Sequence, residues 1–260
     1  MSRTAKQCRV VYLGRVPYRE ALELQLELCD RKKLGFAHDF LLLLEHPPTL
    51  TLGRNGTWRN LRADEAAVLA RGIERFEVDR GGDITFHGPG QLVGYPILRL
   101  DQGEQDVRRY MRNLEEVVIR ALGRHGIAAC RAGGLTGVWT EEGKIAALGV
   151  HISRWITRHG FALNVNTDLA CFDLIVPCGI AGCRVAAMQQ FAGRPLDLAA
   201  VAEVVVGEFG AVLGRETVWC RAEELLDESD FTAAAERATI IEAARPGADR
   251  AAEFAGRPTA

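Results

Sequence analysis

Cys178 and Lys144 are a candidate thiol and a candidate amine, the residue types needed for covalent group transfer. Cys178 lies in Ile175-Val176-Pro177-Cys178-Gly179-Ile180, between a proline that ends a strand and a glycine. That setting presents a side chain at an element's end, with free backbone N–H groups nearby. A free cysteine is equally at home as a small residue in a core. Lys144 follows the turn glycine Gly143 and heads the apolar run Ile145-Ala146-Ala147-Leu148-Gly149-Val150. Such a lysine is either carried into a pocket, where desolvation lowers its pKa, or left exposed at the turn. Next to a thiol, its ammonium would favour the nucleophilic thiolate. The two residues are 34 positions apart, and spacing alone does not join them.

A third stretch, Arg80-Gly81-Gly82-Asp83-Ile84-Thr85-Phe86-His87-Gly88-Pro89-Gly90-Gln91, has four glycines and one proline among its twelve residues. Glycine permits close backbone approach to a ligand, and ordering such a loop costs entropy. Arg, Thr, His and Gln interleaved with the glycines suggest a pocket wall with N–H groups and polar side chains aimed inward. The plainer alternative is a long hairpin connection. His87 reads as a pocket-shaping hydrogen-bonder or a general base. Arg80 reads as a pocket residue or, more plainly, as one that pairs with a carboxylate and ties the loop to its strand.

The elements that must hold these residues follow from pattern. Cys8 to Leu13, Asp39 to Glu45, Thr49 to Leu52, Ile73 to Asp79 and Leu92 to Leu100 read as strands. Pro17 opens a helix with leucines at helical spacing, and Ala63 to Arg71 reads as a short one. Asp106 to His125 carries an apolar stripe of Val107, Tyr110, Met111, Leu114, Val117, Val118, Ala121 and Leu122. Its other face holds Arg108, Arg109, Arg112, Arg120 and Arg124, either solvated or a dock for an acidic partner. Three strands, Thr136 to Thr140, Lys144 to Ser153 and Trp155 to Val165, precede a helix over Leu198 to Leu213. This order predicts an α+β domain, a single mixed and mostly antiparallel sheet with packed helices. Residues 1–215 are expected to form the domain. Residues 216–260 are expected to form a helical, partly disordered tail, given their Ala, Glu, Arg and Asp content.

Bulk properties narrow the function. A chain of 260 residues with net charge −2 gives no reason to expect nucleic acid. No apolar run reaches membrane-spanning length, and the first seven residues lack the apolar core of a signal peptide. Seven cysteines without framework spacing fit reduced thiols in a cytoplasm.

The glycine stretch, read as Arg-Gly-Gly-x-x-Thr-x-His-x-Pro-Gly-Gln, resembles the signature of the lipoyl (octanoyl) transferases, relatives of the lipoate- and biotin-protein ligases. Further segments carry the same resemblance. They are Glu45-His46-Pro47-Pro48, Thr51-Leu52-Gly53-Arg54, Gly137-Val138-Trp139, Gly143 to Gly149, Arg154-Trp155-Ile156-Thr157, His159 to Asn166 and Pro177-Cys178-Gly179-Ile180. It spans about residues 8 to 215. The resemblance implies that Cys178 carries an acyl group as a thioester and that Lys144 depresses its pKa and relays protons. It draws the acyl pocket from Arg80, Gly81, Gly82, Asp83, Ile84, Thr85, Phe86 and His87, with Ala147, Leu148, Gly149, Gly160, Phe161 and Ala162. It implies octanoyl-acyl carrier protein as donor. The implied acceptors are lipoyl domains of 2-oxoacid dehydrogenase E2 subunits and the glycine cleavage H protein. No cofactor or metal is implied. One departure stands out: where the family usually runs Val-Thr-Ser-Leu, this chain has Val185-Ala186-Ala187-Met188.

Three other functions fit parts of the pattern. An ATP-dependent lipoate- or biotin-protein ligase would need no catalytic cysteine. An amidotransferase would move octanoyl or lipoyl groups between two proteins with the same cysteine logic. A metal-binding module would draw on Cys171, Cys178, Cys183, His151 and His159, whose spacings lack the tight pairs of zinc sites.

Overall fold

The computed structural model describes residues 6–179 and 182–226, the side chains of Cys178, Glu223 and Leu226 apart. In chain order the elements are β1 (Lys6–Arg15), α1 (Tyr18–Lys33), β2 (Asp39–Glu45), β3 (Thr49–Leu52), α2 (Glu65–Ala70), β4 (Glu74–Glu77), β5 (Thr85–His87) and β6 (Gln91–Ile97). They continue as α3 (Val107–Arg124), β7 (Val138–Thr140), β8 (Gly143–Ser153), β9 (Ile156–Asn164), α4 (Met188–Ala192), α5 (Leu198–Leu213) and β10 (Arg215–Trp219). Seven strands form a mixed sheet in the order β10-β1-β2-β6-β9-β8-β7, and β4-β3-β5 form a small second sheet. Within the large sheet only β1 pairs in parallel, with β10 and β2; the other pairings are antiparallel.

The middle of the large sheet is covered on both faces, which explains the unbroken apolar run of β2. Leu41 and Leu43 enter the core shared with α3 and α5, while Leu42 and Leu44 enter the core under α1. All four are fully buried, each contributing roughly 2 kcal/mol of transfer free energy. In α3, Asp106 caps the first turn by accepting from Arg109 N at 3.0 Å. Leu114, Val117, Val118, Ala121 and Leu122 of the stripe are buried, but Val107 is 47% exposed, because the first turn overhangs the core. The arginine face of α3 is largely paired with acids: Arg112 with Glu115, Arg120 with Glu116 and Arg124 with Glu208.

The structure differs from the sequence-based expectation in two places. The glycine stretch is not a plain loop, since Thr85–His87 is a buried strand that seeds the second sheet by pairing with β3. The sheet also passes the expected domain boundary at 215. Strand β10 begins there and pairs with β1, and Leu225 packs in the core under α1. The rest of the expected tail, from residue 227, lies outside the described residues. No helix among the described residues is long and apolar enough to cross a membrane.

Candidate active site

A slot opens between the two sheets. Its main lobe holds about 460 Å³ of empty space counting the open mouth, and it is walled by Arg80, Gly82, Asp83, Thr85 and His87 on one side. Ala147, Leu148, Gly149, Gly160, Phe161 and Ala162 of β8 and β9 form the other side, and Tyr18, Tyr95 and His159 complete it. Four of the six residues of the large-sheet wall are Gly or Ala, because the second sheet comes close. A Cβ on Gly149 would stand 2.6 Å from Gly81 O, inside backbone contact distance. Of the residues expected in the pocket, three do not line it. Ile84 and Phe86 alternate with Thr85 and His87 along β5 and so point into the small-sheet core. Gly81 serves through its backbone, donating to Val150 O at 3.0 Å.

A second lobe shares Thr85, Ala147 and Ala162 with the first and adds Gln91, Lys144, Asn164, Phe172, Pro177 and Val185. Lys144 is only 4% exposed, so the lysine at the strand's head is carried inward. Its Nζ lies 5.1 Å from the Trp139 ring centroid, where the ring face attracts a cation. The Cys178 side chain lies outside the described residues, but its backbone turn, Pro177–Gly179, does not. Pro177, its neighbour in the chain, lines the same lobe as Lys144. The turn is tied down on both flanks. Val176 N donates to Asn60 O at 2.7 Å, and Leu61 bridges Ile175. Downstream, Lys144 N donates to Arg184 O and Ala186 N to Lys144 O, each at 2.9 Å.

Asp83 seats that turn rather than offering a free carboxylate. Its oxygens accept from Thr57 N at 3.3 Å, Ile84 N at 2.7 Å and Asn60 Nδ2 at 2.5 Å. Gly179 turns beside it at φ +68°, where an added Cβ would meet Asp83 Oδ2 at 2.8 Å. The departure at Ala186-Ala187 is absorbed by backbone. Both alanines are fully buried, Ala186 O accepts from Asn164 Nδ2 at 3.0 Å, and Gln190 Oε1 accepts from Ala187 N at 2.8 Å.

A buried hydrogen-bond chain fixes the state of His87. Gln91 Nε2 donates to Phe86 O at 3.1 Å and to Asn164 Oδ1 at 2.9 Å, so its Oε1 faces His87 Nδ1 at 2.8 Å. Nδ1 therefore carries the proton, and Nε2 accepts from the Thr51 hydroxyl at 3.3 Å. Thr51 Oγ1 and Thr51 O both accept from Arg80 Nη2 at 2.8 Å. Burial, followed by His46 and Arg80, holds His87 well below the usual histidine range. The imidazole stands in the slot wall with both ring nitrogens hydrogen-bonded. Arg80 lines the slot and ties the glycine stretch to β3 through Thr51, these bonds going to its backbone and hydroxyl oxygens rather than to a carboxylate.

Tyr18 and Tyr95 carried no local sequence signal, because each reaches the site only through tertiary packing. His159, Asn164 and Gln91 stood in motifs of the family resemblance without an assigned place. His159 and Arg158 converge with His151 on Asp79, with His159 Nε2 donating to Asp79 Oδ1 at 2.9 Å. Among the described residues no three His, Cys, Asp or Glu side chains form a metal-binding group.

A mixed sheet with a small sheet laid against it, enclosing a slot with a buried lysine, defines an α+β domain of the lipoate protein ligase type. The bipartite lipoate protein ligase of Thermoplasma acidophilum shares this fold. Its TM-score is 0.68 at 18% identity, covering 85% of this chain and 90% of that one. The chain belongs to the lipoyl protein ligase A/B catalytic domain family, whose model matches residues 17–210. It is 50% identical over 216 residues to the octanoyltransferase of Koribacter versatilis, covering 81% of this chain and 86% of the relative. It is 55% identical over 175 residues to that of Solibacter usitatus, covering 67% and 80%. The sequence-based expectation of an acyltransferase of this family is met.

Proposed function

We propose that the protein moves an octanoyl group from a carrier-protein thioester to a lysine of a lipoyl domain, through a thioester on Cys178. What supports this most is that buried Lys144 and Pro177, the residue before Cys178, line one cavity that shares Thr85, Ala147 and Ala162 with the neighbouring slot. The Cys178 proton passes to Lys144, and the thiolate attacks the donor carbonyl. Thioester exchange is close to energy-neutral, so no ATP is consumed. The acceptor lysine, with an ordinary pKa of about 10.4, must lose a proton before it attacks the acyl-enzyme. Lys144 takes that proton as general base. Amide formation makes the second half-reaction downhill, and the two steps give ping-pong kinetics. The donor is octanoyl-acyl carrier protein. The acceptors are lipoyl domains of 2-oxoacid dehydrogenase E2 subunits and the glycine cleavage H protein. A free catalytic thiol suits the reducing cytoplasm.

Intact-mass analysis after mixing with octanoyl-acyl carrier protein tests this. A single octanoyl adduct should form, pass to an added lipoyl domain and be missing in Cys178→Ser. Transfer that persists in Cys178→Ser, or that requires ATP, would overturn the scheme.

A further inference from the structure

Thr85 stands where the two lobes of the slot meet. It is 7% exposed, and its hydroxyl makes no hydrogen bond among the described residues. Its oxygen is not among the fully buried unpartnered polar atoms, so it faces the open space of the slot, where a ligand or water supplies its partner. Its neighbours are already committed. Gln91 uses both N–H groups on Phe86 O and Asn164 Oδ1, and the single N–H of His87 is on Gln91. Asn164 uses its oxygen and one N–H in the same chain.

The backbone of Thr85 is rigid. It pairs with Thr51 in the small sheet, and Ile84 and Phe86 on either side are locked in that sheet's core. A donor held this way needs no reorganisation when charge develops nearby. An acyl chain in the main lobe with its carbonyl carbon at the Lys144 and Pro177 lobe has its carbonyl at the junction that Thr85 lines.

We propose that the Thr85 hydroxyl is a catalytic hydrogen-bond donor to the carbonyl oxygen of the acyl group during transfer, an assignment that rests on the Cys178 thioester scheme. As the thiolate attacks, a carbon–sulfur bond forms and the carbonyl π pair moves onto oxygen, where the Thr85 O–H meets it. Collapse returns that pair, breaks the bond to the donor sulfur, and the donor thiolate takes a proton from the Lys144 ammonium. The same contact serves the second half-reaction, when the acceptor amine attacks the Cys178 thioester.

Single-turnover acylation, followed by intact mass with the octanoyl thioester of N-acetylcysteamine as probe, separates the possibilities. Thr85→Val keeps the shape and removes the hydroxyl. It should slow acylation by roughly 100-fold with KM changed by less than about threefold, and Thr85→Ser should recover most of the rate. The rate of Cys178 alkylation by iodoacetamide should be unchanged in both. If valine disturbs β5, Thr85→Ala compared with Thr85→Ser makes the same test. Acylation of Thr85→Val within about threefold of the parent, with the adduct still on Cys178, overturns the Thr85 assignment and leaves the thioester scheme standing. An adduct missing from the parent protein, or retained in Cys178→Ser, overturns the scheme itself.

Discussion

Lys144 illustrates how confinement turns an ordinary side chain into a chemical group. At 4% exposure over the Trp139 ring, it is held beside the turn that carries Cys178. In the proposed scheme its ammonium favours the Cys178 thiolate, and a neutral replacement removes that charge. In Lys144→Met the pH midpoint for iodoacetamide alkylation of Cys178 should move up toward about 8.5. Lys144→Arg keeps a charge but has no proton acceptor near neutral pH. It should hold the lower midpoint and still fail to pass the acyl group to a lipoyl domain. The buried histidines carry a separate pH signature. Burial lowers His46 to about 4, with its Nδ1 donating to Val16 O and its Nε2 accepting from the Tyr95 hydroxyl. In the unfolded chain it titrates near 6.5, so between those values the unfolded state binds more protons. Stability is therefore complete above about pH 6.5 and is lost as pH falls toward 4, with His46 responsible for about 2 kcal/mol between pH 7.5 and 5. Urea unfolding across that range should show the decline, and His46→Gln should make it shallower by that share, leaving the part that buried His87 and His159 contribute.

At the scale of elements, the slot exists because β8 and β9 present Ala147, Gly149, Gly160 and Ala162 to it. Ala147→Leu adds three carbons to empty space at the junction of the lobes, not to a packed core. It should raise KM for an octanoyl thioester by roughly tenfold while moving the melting temperature by only a few degrees. An unchanged KM would mean that the acyl chain does not use this passage. The limits of these two strands were close to legible in the sequence, and β2, β3 and α5 matched residue for residue, because β2 and α5 are long apolar runs and β3 alternates polar and apolar residues between clear punctuation at Pro48 and Gly53. Strand β5 was hidden. Three residues among glycines give no periodicity, and the split between Thr85 and His87 on the slot face and Ile84 and Phe86 in the core appears only once β3 is alongside. The meeting of Lys144 with the Cys178 turn was equally out of reach of local pattern. It depends on the parallel bridge between Lys144 and Val185, a contact across 41 positions.

At the scale of the whole molecule, closure of the large sheet lies on the side away from the slot. Strand β10 sits at one edge of the order β10-β1-β2-β6-β9-β8-β7, whereas Lys144 lies toward the other. A buried charge network fastens that edge. Asp39, at 1% exposure, pairs with Lys32 at 2.8 Å and with Arg215 Nε at 2.8 Å, and Arg215 reaches Glu104 at 2.6 Å. Together these join the end of α1, the start of β2, the segment before α3 and the start of β10. Arg215→Leu leaves Asp39 with a single cationic partner in a dry environment, and Glu104 with no partner for its inner oxygen. Removing one member of a buried pair costs about 3–5 kcal/mol, and the surviving Lys32 contact places this variant near the lower end, about 3 kcal/mol. Urea unfolding should show the midpoint falling with little change in slope. Acylation measured well below that midpoint should stay near the parent rate, because the network shares no residue with the slot walls. A loss of acylation in folded Arg215→Leu would show instead that the β10 edge and the slot are mechanically coupled through β2 and β6.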